Sequence, residues 1–174
     1  KVIIAPRELL IATNDILKES LSRNSFVTAM YGIIDKESGV VNFARAGHMP
    51  LVICSEGKVK DYLPKGIGLG LDFGKNFNSN IENMEIKLNN NDIMLLYTDG
   101  VTESRNALNE EFGFKRFKNI IENNHDNSLS EITRKIFEAV SVFSKEEQQH
   151  DDITLVLFKW TNFIKPLEKL NGWF

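Results

Sequence analysis

The sequence predicts an α+β fold built on a mostly antiparallel sheet, and three observations lead to that class. Runs of β-branched and aromatic residues between residues 26 and 98 are separated by short turns, which is typical of antiparallel strands. Two segments with apolar residues at helical spacing follow. An apolar stretch over residues 150–160 then predicts one more strand. A run of strands, a helix pair and a final strand together indicate packed layers of helix and sheet.

The first element is predicted to be a helix over residues 7–21, because apolar residues recur after Pro6 at helical spacing: Leu10, Ile16, Leu17 and Leu21. Seven strands are predicted after it: 26–35, 40–48, 51–55, 59–63, 83–88, 93–98 and 150–160. The first two form a hairpin around the turn at 35–39, and the next two form a second hairpin. The glycines of the loop at 65–74, Gly66, Gly68 and Gly70, predict a tight loop, since no strand–loop–helix context suits a phosphate-binding loop.

Two helices are predicted between the last two strands. The first carries an apolar stripe of Phe114, Phe117, Ile120 and Ile121. The second is preceded by Ser128 and has Glu131 three residues later, which is the pattern of a capping box. Its apolar face comprises Leu129, Ile132, Ile136, Val140 and Phe143. We expect both apolar stripes to lie buried against the sheet.

Composition and charge exclude several function classes. The chain has 174 residues, enough for one domain with a real core, and its net charge of −3 with scattered Lys and Arg does not predict a nucleic-acid surface. No apolar run reaches the length of a membrane span. Cys54 is the single cysteine, which excludes an internal disulfide and fits a reducing, cytoplasmic compartment. It lies in a strand-like run and is expected to be a small buried apolar side chain.

Acidic residues flank two of the predicted strands. Asp99 follows the strand at 93–98, and Asp151 with Asp152 precedes the last one. If these strands pair antiparallel, the acids meet at one edge of the sheet, where a hard divalent cation would offset their mutual repulsion. The alternative is that Asp99 and Gly100 form a plain turn and Asp151 is an exposed loop acid. Spacing alone leaves both interpretations open.

Several ordered motifs resemble the bacterial PP2C-type serine/threonine phosphatases. They are "FVTAMYGIIDKESGVVNFARAGHMP", "GIGLGL", "DIMLLYTDGVTES", "EEFGFKRF" and "DDITLVLF", which together run from Phe26 to Trp160. The resemblance is strongest to the branch that contains the sporulation phosphatase and the stress-response phosphatases acting on anti-sigma-factor antagonists. It implies a PP2C-like β-sandwich with flanking α-helices, in a domain at residues 1–160 followed by an extension at 161–174.

The resemblance also implies a site and a chemistry. Asp99 and Asp151 match family metal ligands, and Asp152 is a further acid beside them. The resemblance places His48, in "AGHMP", and Gly100 near the substrate. For His48 the alternative, which we favour from the sequence, is a ring that is hydrogen-bonded to the backbone. The family uses two Mn²⁺ or Mg²⁺ ions to activate a water that attacks a phosphorylated protein, here by analogy a small anti-sigma-factor antagonist.

One family motif, Gly-Asp-x-Ser-Gly-His-Gly, is absent from the sequence. We therefore interpret the chain as an N-terminally truncated piece of a longer signalling protein, lacking the first strands and inactive on its own. The alternative is a docking module that retains the fold without catalysis. A two-metal nuclease is a weaker alternative, because the acidic balance would repel a polyanion.

The remaining candidates carry less information. His125 and His150 are predicted to face solvent. The extension at 161–174 is too apolar for free solvent, and we expect it to be a packing segment or a homodimer contact.

Overall fold

Seven strands of the described residues form two antiparallel sheets that face each other. The structure is a computed structural model, and it describes residues 4–17, 20–22, 25–145 and 151–161. A three-stranded sheet has the order β1-β2-β5, and a four-stranded sheet has the order β4-β3-β6-β7. The strands are β1 Ala29–Ile34, β2 Val40–Ala46, β3 Leu51–Ser55, β4 Lys58–Tyr62, β5 Asn83–Lys87, β6 Ile93–Tyr97 and β7 Leu155–Lys159.

Helices cover the outer face of each sheet. The helices are α1 Pro6–Leu17, α2 Lys75–Ser79, α3 Asp99–Thr102, α4 Gly113–Asn124 and α5 Leu129–Phe143. Leu10 of α1 packs with Ala44 and Ala46 on the outer face of the three-stranded sheet. Helices α4 and α5 pack on the four-stranded sheet through a cluster that includes Leu95 and Phe117. The expected β-sandwich with flanking helices is thus confirmed.

The two sheets meet through an apolar layer that follows the two-residue period of their strands. Val41 and Phe43 of β2 point into this layer, and Leu51, Ile53 and Met94 meet them from the other sheet. The alternate residues Ala44 and Ala46 face α1 instead. Each sheet is therefore covered on both faces, which explains why β3 and β6 are almost continuously apolar.

The predicted burial of the helix pair is confirmed at the centre of each stripe, whereas Phe114, Ile120, Leu129 and Phe143 are only partly buried. Ile132, Ile136 and Val140 are buried, as are Phe117 and Ile121 of α4. The Ser128 hydroxyl accepts a hydrogen bond from the backbone N–H of Glu131 at 3.2 Å, so the predicted N-cap is present. The Glu131 carboxylate, which was expected to complete the capping box, instead accepts hydrogen bonds from the Arg134 guanidinium.

Predictions at the first elements need correction. Helix α1 ends at Leu17 among the described residues, Leu21 lies in a bend beyond it, and Ile16 is 71% exposed. The buried polar residue of this helix is Asn14, whose amide bonds the backbone of Asp72 and Gly70. Leu10 and Leu17 thus lie on the packed face as predicted, whereas Ile16 does not; Asn14 occupies that face because a loop satisfies its amide.

Three strand ends differ from the prediction by more than one residue, and β7 begins at Leu155 rather than at residue 150. Strand β1 begins at Ala29, after Val27, which forms only an isolated bridge with Leu69. Strand β2 ends at Ala46 because Gly47 has a φ of 69°, a left-handed conformation that interrupts the strand and places His48 in a loop.

Several single residues complete the comparison. Cys54 is buried, as predicted. The His125 ring is 35% exposed and lies against Gly57, so it faces solvent only in part. His150 and the segment 162–174 lie outside the described residues. Among the helices of the described ranges, none has both the length and the hydrophobicity needed to cross a membrane.

Tyr97, the last residue of β6, has a buried hydroxyl that makes no hydrogen bond with the described residues. Burial raises the pKa of Tyr97 to about 12, with a smaller contribution from Asp61, and the ring packs on Phe117. Replacing Tyr97 by Phe keeps this packing and removes an unsatisfied polar group. We therefore expect Tyr97→Phe to leave the free energy of unfolding unchanged or to raise it by up to about 1 kcal/mol in urea denaturation. A loss above about 1 kcal/mol would show that the hydroxyl has a partner in the folded protein.

Candidate functional site

Strands β6 and β7 bring two distant acidic segments to one end of the four-stranded sheet. They pair antiparallel, with Tyr97 opposite Leu155. Asp99 lies two residues beyond the end of β6, and Asp151 and Asp152 lie shortly before the start of β7. The strand pairing that the sequence analysis assumed is therefore the one observed.

The hydroxyl of Thr98 joins these two segments directly. It donates a hydrogen bond to the Asp152 carbonyl at 2.8 Å and accepts one from the Thr154 backbone N–H at 2.9 Å. The Thr98 backbone N–H donates to the Thr154 carbonyl at 3.1 Å. One residue thus makes three hydrogen bonds across the gap, and we call this arrangement the Thr98 clamp.

Gly100 lets the two segments approach closely. A methyl group added there would lie 2.6 Å from the Asp152 carbonyl oxygen and 3.3 Å from that of Asp151. The first distance is shorter than a side-chain carbon tolerates, so any larger residue would push the acidic segment away. Gly100 was predicted to lie near the substrate; the structure gives it a role in packing the two segments.

Asp99 is the first residue of α3 rather than part of a plain turn. Its carboxylate accepts a hydrogen bond from the Gly100 backbone N–H at 3.0 Å. The Asp151 carboxylate likewise accepts from the Asp152 backbone N–H at 2.7 Å. Asp99 is partly exposed, whereas Asp151 and Asp152 are exposed. These carboxylates are oriented by their own backbone and remain reachable from solvent.

His48 lies at the same end of the sandwich, in the loop between β2 and β3. Burial lowers the pKa of His48, the negative charge of Asp99 opposes that change, and Arg45 adds to it. The ring nitrogen Nδ1 lies 3.4 Å from the Thr28 hydroxyl, whereas the backbone carbonyl of His48 accepts a hydrogen bond from Arg45. The ring thus contacts a side chain, and the backbone-bonded ring that the sequence analysis favoured is not what the structure shows.

The donor chemistry of these acidic segments suits Mg²⁺ or Mn²⁺. Carboxylate oxygens are the ligands that such hard cations take. Within residues 4–17, 20–22, 25–145 and 151–161, however, no three His, Cys, Asp or Glu side chains are grouped as a metal ion would require. The Asp152 carbonyl is already engaged by the Thr98 clamp.

A comparison with protein-family models identifies the family of this chain. The family model for Stage II sporulation protein E (SpoIIE) matches residues 2–161. The chain belongs to the SpoIIE family.

Other proteins related to this SpoIIE-family chain include phosphatases. It is 26% identical over 161 residues to the phosphoserine phosphatase RsbU of Bacillus subtilis, covering 90% of this chain and 45% of RsbU. The chain spans less than half the length of the curated relatives it matches.

Solved structures show the same fold. The SiaA-PP2C domain of Pseudomonas aeruginosa superimposes with a TM-score of 0.76 at 23% identity, over 90% of this chain and 61% of that one. The phosphatase domain of SpoIIE from Bacillus subtilis, described as Mn presoaked, gives a TM-score of 0.63 at 19% identity, over 90% and 67% of the two chains. The predicted PP2C resemblance is thereby confirmed.

Two contributors to the site were missed by the sequence analysis. The Thr98 hydroxyl gave no signal, because its partners are backbone groups more than fifty residues away in the chain. Arg45 did leave a signal. It continues the inward alternation of Val41 and Phe43, so a charged residue occupies a position where the pattern predicts an apolar one.

Proposed function

We propose that this chain is the phosphatase domain of a bacterial signalling protein and that it hydrolyses phosphoserine or phosphothreonine in a protein substrate. The observation that carries the proposal is the β6–β7 pairing, which places Asp99 and Asp151 at one end of a PP2C-type fold. The relationship to a phosphoserine phosphatase supports the same reaction. By analogy with the sigma-regulator branch, the substrate is a small phosphorylated anti-sigma-factor antagonist, and the compartment is the cytoplasm.

In this proposal, Asp99 and Asp151 each contribute carboxylate oxygens to Mn²⁺ or Mg²⁺, with Asp152 beside them. When bound, such ions supply an activated water and neutralise charge on the phosphoryl group. The Thr98 clamp keeps the two acidic segments in register, and Gly100 leaves the space for them to meet. In the same proposal His48, in the β2–β3 loop at this end of the sandwich, lies on the substrate side of the site.

A phosphoserine-peptide assay tests the proposal. We expect the full-length protein to release phosphate in the presence of Mn²⁺ and to stop when EDTA removes the metal. The 174-residue chain should be inactive with or without Mn²⁺, because the Gly-Asp-x-Ser-Gly-His-Gly motif, which by the family resemblance supplies a further metal ligand, is absent from it. A full-length protein without turnover at any Mn²⁺ concentration would overturn the proposal and favour a docking module with the same fold.

A further inference from the structure

A half-buried cation, Arg45, lies at the same end of the sandwich as the two acidic segments. It is directly opposite Met30 of β1 and shares a strand face with Phe43, so its side chain enters the space between the two sheets. The strand ends one residue later, which places the guanidinium near the mouth of that space and close to the His48 loop.

Two backbone carbonyls from different loops fix the guanidinium. Nε donates to the Pro64 carbonyl at 2.9 Å, and Nη1 donates to the His48 carbonyl at 2.7 Å. The third nitrogen, Nη2, makes no hydrogen bond with the described residues and is not among their buried, unsatisfied polar atoms. One N–H-bearing edge of a fixed, planar donor is therefore left for a ligand.

Arg45 also lacks a carboxylate partner among the described residues. Arg7 is a useful contrast, because it too donates to two backbone carbonyls, those of Ile81 and Asn78, yet pairs with Glu8 at 2.6 Å. Burial lowers the pKa of Arg45, although arginine stays charged at neutral pH. A partly buried cation without an anion is unfavourable, so this position favours an incoming anion.

Arg45, the β2–β3 loop and the acidic segment after β6 lie at one end of the sandwich, because β3 pairs antiparallel with β6. Asp99 and Arg45 change the pKa of the same imidazole in opposite directions. The region therefore combines carboxylates that attract a metal ion with a guanidinium that attracts an anion. A phosphate monoester can use both, since its oxygens are ligands for a metal ion and acceptors for a guanidinium.

We propose that Arg45 binds the phosphoryl group of the substrate through the free edge of its guanidinium. This inference rests on the proposed phosphatase function, and it assigns the recognition of a phosphate monoester dianion to a residue outside the acidic segments. Loss of one charge-assisted contact of this kind weakens binding by about 10- to 100-fold.

The test compares Arg45→Ala and Arg45→Lys with Arg7→Ala in the full-length protein. Isothermal titration with inorganic phosphate in the presence of Mg²⁺ measures binding without turnover, and a phosphoserine-peptide assay gives KM and kcat. We expect Arg45→Ala to weaken phosphate binding and to raise KM by about 10- to 100-fold. Arg45→Lys should show a smaller loss, because it keeps the charge but not the planar geometry. Arg7→Ala should lower the melting temperature and leave phosphate binding unchanged.

The outcomes separate this inference from the proposed function. Phosphate binding that depends on Arg45 in a protein without turnover would sink the phosphatase proposal and keep the phosphate site. Turnover with unchanged phosphate affinity in Arg45→Ala would overturn the inference alone. Equal losses in Arg45→Ala and Arg7→Ala would also overturn it, because both would then reflect the fold. If Arg45→Ala does not fold, Arg45→Lys decides: unchanged phosphate affinity there overturns the inference.

Discussion

Asp99→Asn in the full-length protein is expected to lower phosphatase turnover by roughly three orders of magnitude or more. Asparagine keeps the size of the side chain and one oxygen, but it removes the negative charge that attracts a divalent ion. The fold should survive, because the Asp99 side chain is partly exposed and bonds only the neighbouring Gly100 N–H among the contacts described. The melting temperature without metal should equal or slightly exceed that of the wild type, since one of several neighbouring negative charges is gone.

Asp126→Asn provides the control, because that side chain is 91% exposed and lies in the turn between α4 and α5. It should leave both turnover and Mn²⁺ affinity unchanged. Mn²⁺ binding followed by electron paramagnetic resonance gives a second readout, which should weaken in Asp99→Asn alone. Wild-type turnover in Asp99→Asn would mean that this residue is not a metal ligand.

Ile136→Ala is expected to lower the free energy of unfolding by about 2–5 kcal/mol. Ile136 is 1% exposed on the face of α5 that packs against the four-stranded sheet, so truncation would leave a cavity between layers. Val142→Ala on the same helix is the matched control. Val142 is 74% exposed, and its truncation should change stability by no more than about 0.5 kcal/mol. Urea denaturation of both variants makes the comparison. An Ile136→Ala effect as small as that of Val142→Ala would contradict the packing of this helix.

The sequence was most informative where local periodicity and tertiary burial agree. Each helix of the α4–α5 pair packs one continuous face on one sheet, so its buried residues recur every four positions. The buried residues are Phe117 and Ile121 on α4, and Ile132, Ile136 and Val140 on α5. Helix α1 was less predictable. The loop that covers it hydrogen-bonds the buried polar residue Asn14, whereas the apolar residue Ile16 faces solvent. Helices α2 and α3, of five and four residues, are too short to show a helical period and were not predicted.

In the candidate site, too, some features could be predicted from the sequence and others could not. The chain positions of Asp99 and Asp151 predicted a shared sheet edge, because an antiparallel partner reverses chain direction. The hydrogen bonds that hold this sheet edge together could not be predicted from local sequence patterns. The partners of the Thr98 hydroxyl and the carbonyls that fix Arg45 are backbone groups, which carry no residue-specific signal in a sequence.

The contacts of the Thr98 clamp also hold the segment of Asp151 and Asp152 beside Asp99. These contacts close a loop of more than fifty residues that contains both α4 and α5, so they carry a larger loop-closure entropy cost than the contacts within either helix. Strand β7 is at the edge of the described sheet, and its Val156 and Phe158 are 40% and 46% exposed. Detaching an edge strand requires less free energy than unfolding the core, and detachment of β7 separates Asp151 from Asp99 while β3 and β6 stay paired. We therefore expect local opening of β7 to set the fraction of molecules in which the two acidic segments lie together, and hydrogen exchange at the Thr154 amide, which bonds the Thr98 hydroxyl, measures that opening.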